Sequence, residues 1–549
     1  MEPLTSAPAP ERALRPHRGV APGTPGRAPR WLAAGVVTVG MVFAVPFGYL
    51  VVRNLADVRR SAALLMAPAA VAPLARSLVL ATTVAAAAAA VGTAAAWLVT
   101  RTDVPARRLW RILLPLPLVI PSFIGAFALI AAFAPGGLAE RLIGVRVPGG
   151  LRGFGGAFLV LTLLTYPYVF LPVAARLQQL PSSLEEAGRL LGRRPTRVFA
   201  SVVVPQIRGA ILAGALLTFL YAISDWGAVE LLRYDTLTRV IFVNVLDPPT
   251  ALALSLELGA LAVAVVVLER MVTGGLRQVE GAHATRGLQI SLGGWRPVAT
   301  GGLAALLFAA LVAPVGVLAF WSVRGLARGA ARAGAVVTDP GQLLGPALNT
   351  VGISLATAGI AVAVAAPVAY LTVRYRSRAG QAVNAVIVAG FALPGLVIAL
   401  ALTFWTLGAP GPIVTAYQTL HLLVTAYVIH FGAQALRAAE VTVASVPRRL
   451  DDAARALGAG RGRRLLTVEL PLMTPGLLAG GGLVLLSTMK ELPATLLLAP
   501  PGFDTLATRI WTSAEDAFLA DASVASLLLI VLSGVVIWVL GVRRSEVLR

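Results

Sequence analysis

The chain has 549 residues, 57% of them apolar and 13% charged, with a mean hydropathy of +0.82, a mix that excludes a water-soluble globular domain. It contains no cysteine, so neither a disulfide framework nor a thiolate metal site is open to it. A net charge of +21 raises nucleic acid as a partner, but where the charge falls along the chain decides otherwise.

Residues 1–30, rich in Pro, Ala and Arg, cannot bury a core and read as a disordered basic tail on the cytoplasmic side. The apolar run Trp31–Val52 is long enough to cross a hydrocarbon core of about 30 Å, which takes roughly 20 helical residues. No small-residue cleavage site follows it, so it reads as a span and not as a cleaved signal. Its centre lies near Val42, and further runs centre near Ala88, Ile124, Leu163, Leu217, Ala262, Leu311, Ala361, Val397, Val424, Leu485 and Val531. The expected fold class is an all-α integral membrane protein with about 12 transmembrane helices. Pro115, Pro117 and Pro121 in the third run and Pro394 in the ninth break helices and free carbonyls, which is tolerated where protein or a water-filled cavity covers them.

With the N-terminus inside, the even-numbered connections and both tails carry 30 arginines and the opposite side carries 13. The positive-inside rule therefore predicts a multi-pass plasma (inner) membrane protein with both termini cytoplasmic, and the basic charge sets orientation instead of binding nucleic acid. The four histidines, His17, His283, His421 and His430, show no metal-ligand spacing, and no metal site is expected.

The chain repeats itself. Leu184-Glu185-Glu186-Ala187-Gly188-Arg189-Leu190-Leu191-Gly192 matches Leu450-Asp451-Asp452-Ala453-Ala454-Arg455-Ala456-Leu457-Gly458 at an offset of 266 residues, which Pro181 and Pro447, and Pro205 and Pro471, also keep. Trp97–Arg101 answers Tyr370–Arg374 and Pro121 answers Pro394 at 273, and Asp235-Thr236-Leu237 answers Asp504-Thr505-Leu506 at 269. Offsets so nearly constant indicate duplication and fusion. The predicted organisation is a first repeat over residues 31–270, a cytoplasmic connector over 271–297 and a second repeat over 298–549. Six spans per half is an even number, so the copies are parallel and related by an axis along the membrane normal.

The repeated segment falls between the fourth and fifth spans of each half, over 181–205 and 447–471, and reads as a short helix in a loop. Ser183 with Glu186 fits a capping box. Glu185 and Glu186, like Asp451 and Asp452, sit where the helix dipole favours carboxylates, and Gly192 and Gly458 supply the stop. Leu184, Ala187 and Leu191, and likewise Leu450, Ala454 and Leu457, make an apolar stripe on a helix about 12 Å long. So short a helix needs something to dock against. The paired acids lack, on an exposed basic loop, the burial that acid–base chemistry requires, so no enzymatic role follows from them.

Glu186-Ala187-Gly188, three residues, Gly192, then Pro205 resembles the EAA loop of type I ABC importer permeases, and Asp452-Ala453-Ala454, three residues, Gly458, then Pro471 resembles it again. Glycine replaces alanine at Gly188, and aspartate replaces glutamate at Asp452. The resemblance implies that each loop is a coupling helix seated in a groove of a separate ATP-hydrolysing subunit, with Glu185, Glu186, Ala187, Gly188, Gly192, Asp451, Asp452, Ala453, Ala454 and Gly458 at the contact. It implies as partners an ABC ATPase, in two copies, which uses ATP and Mg²⁺, an extracytoplasmic substrate-binding protein and membrane lipid, and no cofactor in this chain. Leu116-Val119-Pro121-Ser122, Ser224-Asp225-Trp226-Gly227-Ala228-Val229, Met489-Lys490-Glu491-Leu492-Pro493-Ala494-Thr495 and Gly502 to Trp511 are similar to fused two-domain ferric-iron permeases. Permeases for thiamine, polyamines or phosphonates share parts of these strings.

A phosphate-cradling loop ends in Gly-Lys-Ser or Gly-Lys-Thr. The single lysine, Lys490, follows Met489 and precedes Glu491, so the chain has no P-loop and energy comes from another subunit or an ion gradient. A proton-coupled carrier of six plus six spans is the rival, but a basic Gly-Asp-Arg motif is missing between spans two and three, where Arg101-Thr102-Asp103-Val104-Pro105 stands.

Lys490 and Glu491 fall inside an otherwise apolar run, Pro475–Ala499, and Asp225 matches Glu491 at the 266 offset. A charge at a helix centre costs about 2.5–3.5 kcal/mol on insertion scales. Two readings stay open for Asp225, Lys490 and Glu491: they line the pathway, or they snorkel or pair to pack helices. A ferric ion favours oxygen ligands, and a transient path needs weak contacts because a tight site would stop transport.

Overall fold

The structure, a computed structural model, describes residues 28–144, 151–181, 185–186, 190–192, 195–274, 289–328 and 340–547. Among the described residues ten helices are long and apolar enough to cross a membrane, and two bent pairs, each counted as one broken span, bring the number to twelve. We label them α1 (Arg30–Ala56), α2 (Pro68–Arg101), α3 (Arg107–Val119 with Ser122–Phe133), α4 (Gly153–Gln179), α5 (Phe199–Ser224), α6 (Pro248–Glu269), α7 (Gly293–Gly325), α8 (Gly341–Val373), α9 (Arg378–Ala392 with Gly395–Leu407), α10 (Leu420–Ser445), α11 (Arg461–Met489) and α12 (Leu519–Val539). Their order matches the twelve predicted runs. Among the described residues the only extended pairing is an isolated bridge between Thr102 and Ile290.

The two bends occur at the prolines that the repeat makes equivalent. α3 turns by 90° and α9 by 107°, at Pro121 and Pro394. A proline ring pushes the preceding residue out of the helical region, and Ile120 (φ −80°, ψ 118°) and Leu393 (φ −70°, ψ 131°) are accordingly extended.

Pro205 and Pro471 act more gently. Each follows a π-helical turn, Phe199–Val203 and Leu465–Glu469, in which the Val204 N–H donates to the Phe199 carbonyl and the Leu470 N–H to Leu465. Proline offers no N–H and crowds the carbonyl four residues back, so the helix widens by one residue just before it. Such turns are rare and recur at functional sites.

Small residues set the packing inside each half. In the alanine-rich α2, a Cβ added to Gly92 would lie 2.7 Å from the Tyr166 carbonyl oxygen on α4, and in α11 one added to Gly476 would lie 1.9 Å from Thr442 Oγ1 on α10. In a lipid environment helices gain from such close approach because no hydrophobic gradient drives them together. The matched Asp-Thr-Leu segments are pinned in the same way: the Leu237 N–H donates to Ser77 Oγ on α2 and the Leu506 N–H to Thr350 Oγ1 on α8, both at 2.8 Å.

The first helix of each half packs across onto the other half. α1 lies against both arms of α9 and against α8, and α7 lies against α3 and α4. The Tyr49 hydroxyl donates to the Phe404 carbonyl at 3.0 Å, and Trp321 Nε1 donates to the Ala131 carbonyl at 2.9 Å. The two acceptors are 273 residues apart, which is the repeat's own spacing. The segment before α7 is stitched to the first half: the Ile290 N–H donates to the Arg101 carbonyl at 2.8 Å, the Leu292 N–H to Asp103 Oδ1 at 2.9 Å and the Arg296 guanidinium to Asp103 Oδ2 at 2.7 Å. The halves consequently share a continuous apolar core.

Candidate functional site

The second predicted coupling loop is fully described. Its helix runs Arg448–Ala456, starting earlier than the acids, so Asp451 falls in the first turn and Asp452 lies beyond it, exposed. Gly458 closes the loop at φ +79°, a left-handed conformation that glycine adopts without strain. Of the apolar stripe, Leu457 is 88% exposed and Leu450 45%, while Ala454 is half-buried. An apolar edge left open on a nine-residue helix has the character of a docking face. Asp451 is tied inward: its Oδ1 lies 2.8 Å from Arg464 Nε at the start of α11, and its Oδ2 lies 3.3 Å from Arg455.

Ser183, Leu184, Ala187 and Gly188 of the first loop, and with them the expected capping box, lie outside the described residues. Gly192 is left-handed at φ +73°, Leu190 and Leu191 are 89% and 77% exposed, and Glu186 is exposed. Glu185 corrects the expectation of an exposed acid pair. It is 2% exposed, with Oε1 3.4 Å from the guanidinium of Arg101, itself 1% exposed. Arg101 is the last residue of α2, and it donates to the carbonyls of Leu177 and Leu180 at 2.8 and 3.0 Å. Helix ends leave carbonyls without intrahelical donors, so this arginine closes the end of α4 while holding the acid that opens the loop.

A second cluster lies inside the bundle. The run Pro475–Ala499, expected as one apolar span, is two helices: α11 stops at Met489, and a short helix, Pro493–Leu498, begins three residues past Lys490. Pro493 cannot continue α11 because it lacks the N–H that the next turn requires. α5 likewise stops at Ser224, and Gly227–Leu231 follows. The acids serve the second helix of each break. Asp225 Oδ1 accepts from the Ala228 N–H at 3.0 Å and Glu491 Oε1 from the Ala494 N–H at 3.3 Å, in both cases three residues on, where the helix dipole favours a carboxylate.

Lys490 neither snorkels to a surface nor joins an ion pair among the described residues. Its Nζ donates to the Leu118 carbonyl of the other half at 2.8 Å, next to the α3 bend, where Pro121 has no N–H to offer. Glu491 Oε2 lies 3.9 Å from His430 Nδ1, with 10% and 17% of the two side chains exposed. A Cβ on Gly395, the first residue after the α9 bend, would lie 2.5 Å from Glu491 Oε1. Its repeat counterpart, Ser122, stands beside Asp225 together with Tyr221. Between α4 and α5 the Tyr168 and Tyr221 rings are 5.7 Å apart, and between α10 and α11 Gln434 donates to Ser487 at 3.0 Å. These two pairs are also related by 266 residues.

Asp225, Lys490 and Glu491 were legible as charges in apolar runs. Ser122 stands in one of the strings similar to ferric-iron permeases and His430 among histidines without metal-ligand spacing, but neither they nor Tyr168, Tyr221, Gln434 and Ser487 are legible as neighbours of the acids, although polar residues recurring at the 266 offset carry the signal. Arg101 and Arg464 were hidden among basic loop residues. Among the described residues no group of three or more His, Asp or Glu is placed to hold a metal ion.

The comparisons with known proteins agree with this arrangement. The family described as binding-protein-dependent transport system inner membrane component matches twice, over residues 88–332 and 356–544. The chain is 30% identical to the Fe(3+)-transport system permease protein FbpB 2 of Haemophilus influenzae over 94% of its own length and 99% of the relative's. It is 26% identical to the sulfate transport system permease protein CysT of Salmonella typhimurium, over 29% of this chain and 61% of that one, and 31% identical to the molybdenum transport system permease protein ModB of Mycobacterium tuberculosis, over 29% and 62%. Proteins of this kind are the non-catalytic, membrane-spanning subunits of ABC transporters, with ATP hydrolysis on a separate chain. With two copies of the domain, twelve spans and two loops of the EAA type, the chain belongs to the binding-protein-dependent transport system inner membrane component family, as a fused two-domain ABC permease.

Proposed function

We propose that this permease carries ferric iron inward, taking it from an extracytoplasmic binding protein and driven by two copies of an ATPase docked at the loops around Glu186 and Asp452, with Asp225, Lys490 and Glu491 along the path. The observation that carries the substrate is the match to the Fe(3+)-transport permease over 94% of this chain, against 29% for the sulfate and molybdenum permeases. The chemistry of the interior cluster supports it, since carboxylates and hydroxyls from Asp225, Glu491, Tyr168 and Tyr221 are hard oxygen donors suited to a hard cation. Their spread over two halves gives weak successive contacts in place of a cage, as conduction requires. Both termini are assigned to the cytoplasmic side by the distribution of arginine.

One observation favours an oxyanion instead: Lys490 places an ammonium in the same cluster. The test is uptake into proteoliposomes containing this chain, its ATPase and its binding protein, with radioactive ferric iron, sulfate and molybdate supplied in turn. ATP-dependent accumulation of iron is expected. Accumulation of either oxyanion without iron would overturn the assignment.

A further inference from the structure

We propose that the first arm of α3 binds an anionic phospholipid at the membrane face that carries the EAA-type loops, with the guanidiniums of Arg107, Arg108 and Arg111 on its phosphate and Leu109 and Ile112 among its acyl chains. The arm opens with a helix, Arg107–Leu113. At about 100° per residue, Arg107, Arg111 and Arg108 fall side by side around it, and Ile112 and then Leu109 continue the same arc. Leu109 is 52% and Ile112 65% exposed, and Arg108 and Arg111 are exposed beside them. A cation stripe bordering an aliphatic stripe, both uncovered, suits the boundary between headgroups and hydrocarbon.

The arginines lie at that boundary. Arg111 Nη2 donates to the Val99 carbonyl at 3.5 Å and Arg107 Nη1 to the Thr102 carbonyl at 3.4 Å, which places both at the last turn of α2, level with the end of α4 that Arg101 closes. Trp295, 71% exposed, stands at the start of α7 beside Arg296, whose guanidinium is held by Asp103 in the loop that leads to the arm. An uncovered indole is the kind of side chain that gathers at a membrane–water interface. The three guanidiniums also crowd one another, since Arg107 and Arg108 are the charges acting on Arg111. Among the described residues the acceptors they meet are neutral: the two carbonyls, and the side-chain amide oxygen of Gln289, 2.8 Å from Arg107 once the amide is turned toward it. The acid of the adjoining loop, Asp103, is taken by the Leu292 N–H and Arg296. A phosphodiester supplies the anion that relieves this repulsion, and planar guanidinium forks match its oxygens in pairs.

The other half carries neither stripe. At the 273 offset, which holds from Trp97 to Pro121, the equivalents of Arg107, Arg108 and Arg111 are Gly380, Gln381 and Asn384, and those of Leu109 and Ile112 are Ala382 and Ala385. Asn384 bonds Glu440 instead, and α1 lies against this arm, with Gly40 close upon Val383. The shared fold therefore does not require the cations and aliphatics of the first arm, and what that arm faces accounts for them. The same arm carries Leu118, whose carbonyl accepts from Lys490, so a lipid held at Arg108 and Arg111 steadies the element on which that contact between halves rests.

The test is a titration of phosphatidylglycerol into the complete transporter in detergent, with bound lipid counted by native mass spectrometry and phosphatidylcholine, which has no net charge, as the comparison. The parent should hold phosphatidylglycerol in preference. Arg108→Gln with Arg111→Gln should weaken its tightest binding about ten-fold or more, and Ile112→Asn should weaken it as well. Arg108→Lys with Arg111→Lys, which keeps the charges, should stay within about three-fold of the parent. Arg461→Gln with Arg463→Gln removes two exposed arginines from the start of α11 and should leave the binding unchanged.

Equal retention of the two lipids by the parent, undiminished binding in the Arg108 and Arg111 glutamine pair, or the same loss in the Arg461 and Arg463 pair would each overturn the proposal. So would loss of the ATPase from the Arg108 and Arg111 glutamine pair with lipid retained, which would assign this face to that subunit. Displacement of the lipid by inorganic phosphate, with Ile112→Asn without effect, would assign the arginines to a free anion and overturn it too.

Discussion

Replacing Arg101 with methionine removes the guanidinium while keeping much of the side-chain volume. What remains is a Glu185 carboxylate that is 2% exposed and has lost its cation at 3.4 Å, together with the Leu180 carbonyl stripped of a donor at 3.0 Å. The Leu177 carbonyl keeps a second donor, the Leu180 N–H at 3.3 Å. Breaking a buried pair by removing one partner costs about 3–5 kcal/mol. Removing the second charge as well, with Glu185→Leu, takes away the carboxylate that Arg101 had balanced and leaves chiefly one unsatisfied carbonyl, worth about 1–3 kcal/mol. The double variant should therefore be the more stable of the two by roughly 2 kcal/mol, a non-additivity expected only of groups in direct contact. Because membrane proteins commonly unfold irreversibly, the comparison is made as thermal inactivation rates in one detergent. The order expected is parent slowest, then the double variant, then Arg101→Met. A double variant inactivating at the summed cost of its parts, or Arg101→Met matching the parent, would refute the pair.

Asp225→Asn with Glu491→Gln should retain the caps on the two short helices through the amide oxygens while removing two negative charges, so uptake of a cationic cargo per folded transporter should fall severalfold with little loss of thermal stability; normal uptake with lowered stability would assign both acids to packing alone. Gly476→Ala forces a Cβ to within 1.9 Å of Thr442 Oγ1, an overpacking worth about 1–3 kcal/mol, and the lost yield of folded protein should return when Thr442→Ala is added. Asp103 lies in the loop after α2, where the Leu292 N–H and then Arg296 hold its carboxyl below the ordinary range. Since the folded-state value is the lower one, its contribution is complete above the unfolded carboxylate range and is lost as pH falls through the depressed value. Hydrogen exchange over residues 289–295, corrected for intrinsic rate, should then be flat from about pH 5 to 8 and rise only below about pH 4, with Asp103→Asn loosened throughout.

Most of the architecture could be read from the amino-acid order because one physical quantity, apolar length, dominates in a bilayer. All twelve runs became helices, and the prolines chosen as breakers mark both bends. The misreadings arose where two helices meet end to end in an apolar stretch. Pro475–Ala499 has the composition of one span, and hydropathy does not register a stop at Met489 followed by a fresh start at Pro493. The crossing of α1 and α7 onto opposite halves was equally invisible, since nothing local to Tyr49 or Trp321 shows that its partner carbonyl lies beyond its own repeat. Glu185 failed for a related reason: a charge on a polar loop is expected in water unless its cation is known, and Arg101 lies far off in sequence at the end of another helix.

Fusion of the two repeats has a chemical consequence at the interior cluster. In a permease built from two identical chains, any residue near the axis occurs twice, and a buried ammonium would face its own copy across a medium that screens charge poorly. Joining the halves in one chain lifts that restriction. Lys490 stands opposite a serine, Ser224, at the equivalent position, Gln434 and Ser487 replace a pair of tyrosines, and only the acids Asp225 and Glu491 are kept on both sides. The helical frame has stayed two-fold, with its bends, π turns and serine or threonine pins repeated at nearly constant spacing, because those features follow from backbone geometry that both halves share. The side chains of the interior cluster are not held to that symmetry, apart from the two acids that cap the short helices. A single lysine in a chain with 45 arginines placed at that one point fits this division: a compact ammonium on a flexible stem reaches the Leu118 carbonyl from the end of α11 with one donor and keeps two more, where the planar fork of an arginine would have to satisfy five.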